Sequence, residues 1–322
     1  MSLEPRITSH ESRVTPIRSA LRDAIAQLEG EHVPSAPLAA ELLLMHTLER
    51  DRTWLYSHPE QELDAATRER YFSLIARRAS GVPTQHLIGH QEFWGLDFEV
   101  TPDVLIPRSE TEHVIEASLE RLGVSASGVA SQRDAAFRIA DVGTGSACIA
   151  VALAHELPNA RIIATDISAA ALEVARRNAE RHNVSARIDF IKCNLLDALF
   201  HQSPVTSHQS PSYDLIASNP PYIGRGEAAT LAREVREHEP HAALFAGETG
   251  TEIYAPLIAQ AAALLKPSGI LVLELGHNSA DDVSRLLANP AWSDLTVTND
   301  LAGITRVASA RRTTISTINT AR

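Results

Sequence analysis

Short apolar segments alternate with helix-forming segments through the second half of the chain, and no other feature constrains the fold as strongly. The apolar segments of strand length lie at residues 137–142, 161–165, 187–192, 213–218 and 269–275. Alternation of this kind is typical of an α/β fold with a parallel, doubly wound sheet. Two more strand candidates, at 295–299 and 304–308, are separated by a short link around Gly303, which favours an antiparallel pair. The sequence therefore predicts a mostly parallel, Rossmann-like sheet that ends in an antiparallel strand.

The first part of the chain follows a helical pattern instead. Apolar side chains recur every three to four positions at Ile17, Leu21, Ile25 and Leu28, and the spacing continues at 38–48 and 71–75. Gly81 and Pro83 end this pattern, and residues 93–100 then alternate in the manner of a β-strand. We therefore expect a small helical bundle followed by a hairpin connector.

These patterns divide a chain of 322 residues, which is longer than most single domains. We expect an N-terminal helical domain at 1–85, a β-hairpin connector at 86–107, an α/β domain at 108–310 and a flexible tail at 311–322. Residues 123–134 and 201–212 are rich in small and polar side chains, so we expect mobile surface loops there.

The charge balance narrows the class of substrate. The formal net charge is -11, so the chain lacks the broad positive field that attracts a phosphate backbone, and we expect no direct nucleic-acid substrate. Residues 1–14 contain no apolar signal-peptide core, and no apolar run approaches the roughly 18 residues that span a bilayer. This favours a cytoplasmic protein without a membrane partner. Cys148 and Cys193 lie in apolar stretches and are expected to be inert thiols, and the histidines show no metal-ligand spacing.

A glycine-rich turn follows the first strand of the α/β domain. It consists of Gly143, Thr144, Gly145, Ser146 and Ala147. Glycine permits a tight strand-to-helix turn and lets a ligand approach the backbone. By itself the turn is a weak indication, because similar turns bind nicotinamide cofactors and some bind nothing.

Polar side chains around this turn sharpen the prediction. Asp166 ends the second strand about twenty residues later, where a carboxylate can accept hydrogen bonds from both ribose hydroxyls. Asp141, just before the first glycine, suits the ammonium of a methionine moiety better than a diphosphate, which favours S-adenosylmethionine over NAD. After the third strand, Asn194 is a candidate for bonding the adenine amine and Leu195 for covering the ring, although a core role explains Leu195 equally well.

The fourth predicted strand is followed directly by Asn219, Pro220, Pro221 and Tyr222. These residues therefore lie at the carboxyl end of the strand, where open parallel sheets bind ligands. An amide nitrogen is a poor nucleophile because its lone pair is delocalised into the carbonyl. If the Asn219 side-chain oxygen and the Pro220 carbonyl each accept one hydrogen from a substrate NH2, the lone pair is directed toward a methyl donor. The two prolines stiffen the segment, and Tyr222 can stack on the flat amide and exclude water. The sequence nominates no separate general base.

Several segments, taken in chain order, resemble the HemK/PrmC family of release-factor glutamine N5-methyltransferases. They are residues 85–89 with Phe93, Gly95 and Leu96, residues 104–112, the glycine turn, residues 219–222, Glu239 with Pro240, Gly247, and residues 301–303 with Arg306. The likeness covers residues 15–308. Three positions depart from the family pattern: Ser109 replaces a proline, Ala147 a glycine and Asn194 an aspartate.

This resemblance implies a class I S-adenosylmethionine-dependent methyltransferase fold, with an N-terminal helical domain that helps to dock the substrate protein. It implies methyl transfer from S-adenosylmethionine, with S-adenosylhomocysteine as product, to the glutamine N5 in the Gly-Gly-Gln motif of class I peptide-chain release factors. By the same resemblance, residues 143–147, Asp166, Leu195 and Asn219 contact the cofactor, and residues 219–222 hold the glutamine. We expect a monomer.

Other functions remain open on the sequence. The same tetrapeptide also suits adenine-N6 methylation of DNA, although such an enzyme must flip a base and grip phosphate, which the acidic balance disfavours. Methylation of a ribosomal-protein glutamine would need only a different docking surface. A non-catalytic module that binds the cofactor and a translation factor is opposed by the intact tetrapeptide and Asp166. Arg108, Glu110 and Glu112 form either an ion-paired lip over the cofactor or a solvated helix start.

Overall fold

The computed structural model describes residues 15–124, 133–200 and 213–314. The chain divides into two compact units, Met1–Ile88 and Gly89–Arg322. Within the described residues, no helix has both the length and the apolar content needed to cross a membrane. The predicted loop at 201–212 and most of the one at 123–134 lie outside these residues.

The first unit is a bundle of helices with a short two-stranded ladder. Its elements are β1 (Thr15–Pro16), α1 (Ile17–Gly30), α2 (Ala36–Leu48), α3 (Arg52–Ser57), β2 (Glu62–Leu63), α4 (Ala65–Ala79) and α5 (Thr84–Ile88). Leu28, Leu43 and Tyr71 are fully buried in its core. Asp51 and Asp64 start α3 and α4 by accepting a backbone N–H of the first turn, as N-cap residues do. The predicted helical bundle is confirmed.

A β-hairpin opens the second unit. Strand β3 (His90–Phe93) pairs antiparallel with β4 (Leu96–Glu99). The two linking residues, Trp94 and Gly95, have φ angles of 55° and 69°, the left-handed conformation that a two-residue hairpin turn requires. The structure thus contains a hairpin within the predicted connector at 86–107, and the alternating pattern over 93–100 spans its turn and is not a single strand.

A seven-stranded sheet forms the centre of the second unit. The remaining strands are β5 (Arg138–Val142), β6 (Arg161–Asp166), β7 (Ile188–Lys192), β8 (Tyr213–Ser218), β9 (Ile223–Gly224), β10 (Phe245–Gly247), β11 (Leu265–Glu274), β12 (Trp292–Asn299) and β13 (Thr305–Arg312). The sheet order is β12-β13-β11-β8-β5-β6-β7, while β9 pairs with β10 separately. Strands β11, β8, β5, β6 and β7 are parallel, and β13 is antiparallel to both of its neighbours. The predicted doubly wound sheet with an antiparallel end is confirmed.

Helices cover both faces of this sheet. They are α6 (Glu112–Arg121), α7 (Cys148–Glu156), α8 (Ala169–Arg181), α9 (Arg233–His238), α10 (His241–Leu244), α11 (Tyr254–Leu264) and α12 (Ala280–Leu287), with 3-10 turns at Ser109–Thr111, Ser185–Arg187, Asp197–Phe200 and Arg225–Thr230. Ile139 and Leu215 pack with α6, α7 and α8, whereas their chain neighbours Ala140 and Ile216 pack with α11 and α12. Because successive strand residues face opposite ways, two cores form, one on each face.

Three strands extend three or more residues beyond their predicted bounds, among them β12, which begins at Trp292 and not at residue 295. Strand β11 begins at Leu265, before the predicted start at residue 269, and shifts register against β8 between Leu265 and Ile270. Strand β13 continues to Arg312, so Arg311 and Arg312 are not part of a flexible tail. Arg311 pairs with Ile270 of β11 and Arg312 with Trp292 of β12, so both arginines belong to the sheet. Residues 315–322 of the predicted tail lie outside the described residues.

Candidate active site

The strand register brings the predicted site residues to one edge of the sheet. Val142 of β5 pairs with Thr165 of β6 and with Ser218 of β8. Ser218 pairs in turn with Leu273 of β11. The residues that follow these pairs, Gly143, Asp166, Asn219 and Glu274, therefore lie side by side where the parallel strands end. This edge is where open α/β sheets bind ligands.

The glycine turn is closed against β6. The backbone N–H groups of Gly143 and Thr144 both donate to the Thr165 carbonyl at 2.9 Å. Gly143 and Gly145 have φ angles of 71° and 54°, and a Cβ built on either would meet no atom within 4 Å. Ala147 also has a positive φ of 65°, which explains physically why glycine is usual there. The turn thus faces open space with four of its five backbone N–H groups already occupied, because Gly145 donates to Asp166 and Ala147 to the Thr144 carbonyl.

Asp141 lies beneath the turn and has no exposed surface. Its Oδ2 accepts from Thr144 Oγ1 at 2.6 Å and from the Ala150 N–H at 3.1 Å. Burial raises the pKa of Asp141 to about 7. This carboxyl holds the turn and the start of α7, while its buried Oδ1 has no hydrogen-bond partner, so the contact with an ammonium that the sequence predicts stays a prediction. Direct contact with a ligand would require the turn to move, because Asp141 is covered.

Asp166 connects the turn to the next helix. Its Oδ2 accepts from the Gly145 N–H at 2.9 Å, and its Oδ1 accepts from the Ser168 N–H at 2.8 Å. Burial raises the pKa of Asp166, while these backbone donors act in the opposite direction. Each carboxylate oxygen can accept a second hydrogen bond. The side chain therefore keeps acceptor capacity for a pair of hydroxyls.

Ile167, next to Asp166, is an exposed apolar residue that the sequence analysis does not identify. Ile167 is 58% exposed, an unusual state for a side chain of its size at the end of a buried strand. Asp166 pairs with Lys192 of β7, so Ile167 and the turn containing Leu195 follow adjacent strand ends. Leu195 is half-buried against the α11 side of the core, whereas Asn194 is exposed and lies 3.5 Å from Asp197 Oδ2. Ile167 and Leu195 are thus two apolar side chains that follow neighbouring strand ends, and the exposed Asn194 directly precedes Leu195.

The side chain of Asn219 is oriented by a residue that sequence reasoning missed. Asn219 Nδ2 donates to Thr111 Oγ1 at 3.0 Å across 108 positions of the chain. Thr111 belongs to the 3-10 turn before α6 and is 2% exposed. Because this bond uses the amide nitrogen, the Asn219 Oδ1 remains as the acceptor.

Tyr222 is held by a second unpredicted residue, Glu274. The Tyr222 hydroxyl donates to Glu274 Oε1 at 3.3 Å. Burial raises the pKa of Glu274 to about 7, and hydrogen bonds from Thr111 and Tyr222 oppose this shift. A Cβ added to Gly276 would lie 3.0 Å from the Tyr222 ring, so the absent side chain lets the ring pack closely. No short sequence pattern signals either contact.

A cavity of about 140 Å3 opens at the tetrapeptide. Its lining residues are Leu105, Arg108, Asn219, Tyr222, Ile223, Val235, Ala243 and Leu244. A cavity of about 150 Å3 admits a benzene-sized group, so this one suits a single small side chain. Apolar walls with an amide and an aromatic ring at one end match the aliphatic stem and polar head of a glutamine. Pro220 and Pro221 follow Asn219 directly and stiffen this wall.

The charged residues near the start of α6 each have their own partner. Arg108 forms an ion pair with Glu239, whose side chain is 1% exposed and also accepts from the Ile106 N–H at 3.2 Å. Glu110 lies 3.6 Å from Arg306, and Glu112 accepts from the Trp94 N–H at 2.8 Å. The group is therefore neither a continuous lip nor a simply solvated helix start.

The residues at this edge fit S-adenosylmethionine. The occupied amides of the turn are not free for the diphosphate of a dinucleotide, whereas the open space over Gly143 and Gly145 admits a ligand close to the backbone. Asp166 retains acceptors for ribose hydroxyls, and Ile167 offers an apolar surface for a base.

Comparisons with known proteins agree with this assignment. The model of the PrmC N-terminal domain matches residues 19–89, and that of the methyltransferase small domain matches residues 129–238. A release factor glutamine methyltransferase of Koribacter versatilis is 42% identical, covering 92% of this chain and 99% of its own length. The chain therefore belongs to the family of release factor glutamine methyltransferases. Relatives of the same name from Nitratidesulfovibrio vulgaris and Chlorobaculum tepidum are 39% and 41% identical, over 96% and 90% of the chain.

Solved structures share the fold of this chain. The hMettl16 catalytic domain in complex with MAT2A 3'UTR hairpin 1 is similar with a TM-score of 0.52 and 19% identity, covering 76% of this chain and 82% of that one. Its complex with hairpin 6 gives a TM-score of 0.51 and 20% identity, covering 74% and 81%. At this identity the likeness extends to the methyltransferase fold alone.

Proposed function

We propose that this protein transfers the methyl group of S-adenosylmethionine to the side-chain N5 of the glutamine in the Gly-Gly-Gln motif of class I peptide-chain release factors. One observation carries the proposal: the glutamine-sized cavity ends at Asn219 and Tyr222, next to the glycine turn. Full-length relatives at about 40% identity carry the name of this activity. We further propose that the protein acts as a cytoplasmic monomer.

The cofactor is held by the residues at the carboxyl ends of β5, β6 and β7. The turn at 143–147 gives backbone contact, Asp166 accepts from the ribose, and Ile167 with Leu195 covers the adenine. S-adenosylmethionine supplies a methyl group on a positively charged sulfur. Asp141 acts indirectly, by fixing Thr144 and the start of α7. Asn194 has a minor role at the adenine margin, since it is exposed.

The chain's own groups orient the substrate amide. Asn219 Oδ1 and the Pro220 carbonyl each accept one hydrogen of the glutamine NH2, which holds the nitrogen lone pair toward the donor. Such positioning can lower the barrier by several kcal/mol. The Tyr222 ring, fixed by its hydroxyl bond to Glu274, packs on the flat amide and keeps water away.

The test presents labelled S-adenosylmethionine with a release factor, a ribosomal protein and DNA in separate reactions. We expect label on the release factor only, and peptide mapping should place one added methyl on the glutamine of Gly-Gly-Gln. A release factor with that glutamine changed to glutamate is the matched control and should stay unlabelled. Label on the ribosomal protein or on DNA, with none on the release factor, would overturn the proposal.

A further inference from the structure

One charged side chain lines the substrate cavity, whose other walls are uncharged, and this charge has a fixed partner. Arg108 contributes to the cavity wall and donates from Nη2 to Glu239 Oε1. The Glu239 side chain is 1% exposed, whereas that of Arg108 is 32% exposed. Because a buried carboxylate without a partner is strongly unfavourable, this ion pair holds the guanidinium at the cavity.

Arg108 keeps hydrogen-bond donors that the protein does not use. A guanidinium carries N–H groups on each of its nitrogens, and the ion pair takes only the Nη2 end. Within residues 15–124, 133–200 and 213–314, Nε and Nη1 of Arg108 make no hydrogen bond. The backbone around Arg108 is fixed, because the Ile106 N–H donates to Glu239 Oε2 at 3.2 Å and the Thr111 N–H donates to the Arg108 carbonyl at 3.0 Å. The unused donors therefore lie on a rigid support beside the cavity.

The proposed substrate needs such a donor. A glutamine carboxamide presents an NH2 group and a carbonyl oxygen, and the acceptors Asn219 Oδ1 and Pro220 O meet only the NH2 group. A carbonyl oxygen enclosed without a donor weakens binding, because it loses its hydrogen bond to water. Asn219 Nδ2 and the Tyr222 hydroxyl already donate to other side chains. Among the described side chains that line the cavity, Arg108 alone has unused donors, since the rest are apolar.

We infer that Arg108 donates to the side-chain carbonyl of the target glutamine and so makes the cavity selective for a carboxamide. The inference rests on the proposed function and adds a specificity-determining residue to that site. Acceptors for the NH2 group and a donor for the carbonyl together match a carboxamide in one orientation, with its nitrogen at Asn219 and its oxygen at Arg108. A side chain of similar length without a carbonyl leaves the Arg108 donors unsatisfied, so it binds more weakly.

The bond from Arg108 acts on binding and not on the chemical step. As the nitrogen–methyl bond forms and the sulfur–methyl bond breaks, the nitrogen lone pair leaves the carbonyl, and the carbonyl oxygen becomes a weaker acceptor. The Arg108 bond is therefore stronger in the bound substrate than in the transition state, so it does not raise kcat. The Glu239 carboxylate offsets the guanidinium charge, which would otherwise oppose the positive charge that develops on the nitrogen.

The test compares the wild type with Arg108→Met, which keeps an unbranched stem and removes every donor. Dissociation constants are measured in the presence of S-adenosylhomocysteine for two forms of the release factor. One is the natural form, and the other has the target glutamine changed to methionine, which has a similar length and no carbonyl. Arg108→Met should reduce the preference for the natural form by about tenfold or more, because a hydrogen bond from a charged donor is lost. The KM of the release factor should rise by a similar factor, with kcat within about threefold of the wild type or above it.

Arg306→Met is the matched control, because Arg306 is another partly buried arginine with carboxylate partners and does not line the cavity. It should leave the preference for the natural form unchanged. If Arg108→Met does not fold, because it leaves the buried Glu239 charge unpaired, the variant that combines it with Glu239→Gln gives the same test. A glutamine there still accepts from the Ile106 N–H without a buried charge, and Glu239→Gln alone serves as the reference.

The outcomes separate this inference from the proposed function. A wild type that leaves the release factor unmethylated removes the proposed function itself. With an active wild type, a folded Arg108 variant that keeps the full preference for the natural form overturns the inference alone. An Arg108 variant that binds both forms more weakly by the same factor also overturns it, because that result indicates a structural role.

Discussion

Asn178 forms hydrogen bonds with both the glycine turn and the hairpin, so its replacement should destabilise the protein and loosen both segments. This fully buried side chain of α8 accepts from the Glu99 N–H at 2.7 Å and donates to the Glu99 carbonyl at 3.0 Å and the Ser146 carbonyl at 2.9 Å. Asn178→Ala removes all three bonds and leaves the Glu99 N–H in a site sheltered from water. At about 1 kcal/mol for each bond, with a further penalty for the unpaired groups, we expect a loss of roughly 3–5 kcal/mol in unfolding free energy.

The assay is urea unfolding of the full chain followed by tryptophan fluorescence, with hydrogen exchange at the Glu99 amide to localise the change. Exchange at Glu99 should accelerate, and S-adenosylmethionine should bind more weakly because Ser146 lies in the glycine turn. Asn159→Ala is the control: Asn159 makes one exposed bond, to the Asp134 carbonyl, and its loss should cost below about 1 kcal/mol. If Asn178→Ala matches this control in stability and keeps its cofactor affinity, Asn178 does not hold the turn.

Three further predictions concern the substrate end of the site. Asn219→Ala should abolish methyl transfer while reducing cofactor affinity only in part; a normal rate in a kinetic assay would refute the role of Asn219. Gly276→Ala places a Cβ 3.0 Å from the Tyr222 ring, so kcat should fall about tenfold or more with cofactor affinity unchanged, and an unaltered kcat would contradict this. Glu274 has a folded-state pKa of about 7 against 4.5 for the free group, so the folded state holds its proton longer than the unfolded chain. Wild-type stability relative to Glu274→Gln should therefore be highest below pH 4.5, fall by up to roughly 3 kcal/mol as pH rises to 7, and level off above it; a difference independent of pH would contradict the burial effect.

The sequence predicts the architecture well because strand periodicity is a local property. The predicted bounds of β8 agree with the structure at both ends, since an apolar run meets Asn219 and Pro220 directly after it. The predicted start of β11 and the predicted end of β13 are wrong, because polar residues there belong to the sheet. Arg312, for example, donates to the carbonyls of Ala262 and Ala291, which no pattern along β13 reveals.

The candidate site likewise contains residues that the sequence predicts and residues that it does not. The glycine turn, Asp166 and the tetrapeptide are short motifs placed at strand ends, so their positions follow from the fold class. Thr111 and Glu274 are separated from their partners Asn219 and Tyr222 by 108 and 52 positions. The pairing of β8 with β11 and the packing of the turn before α6 bring them together. Asp141 precedes the turn in sequence, yet its direction, inward beneath the turn, depends on side-chain packing.

A structure of the protein bound to S-adenosylhomocysteine and a release factor with an intact Gly-Gly-Gln motif tests the proposed chemistry most directly. We expect the glutamine nitrogen about 3 Å from both Asn219 Oδ1 and the Pro220 carbonyl, facing the cofactor sulfur. A glutamine bound elsewhere, or residues 219–222 lying far from that sulfur, would rule out this mechanism.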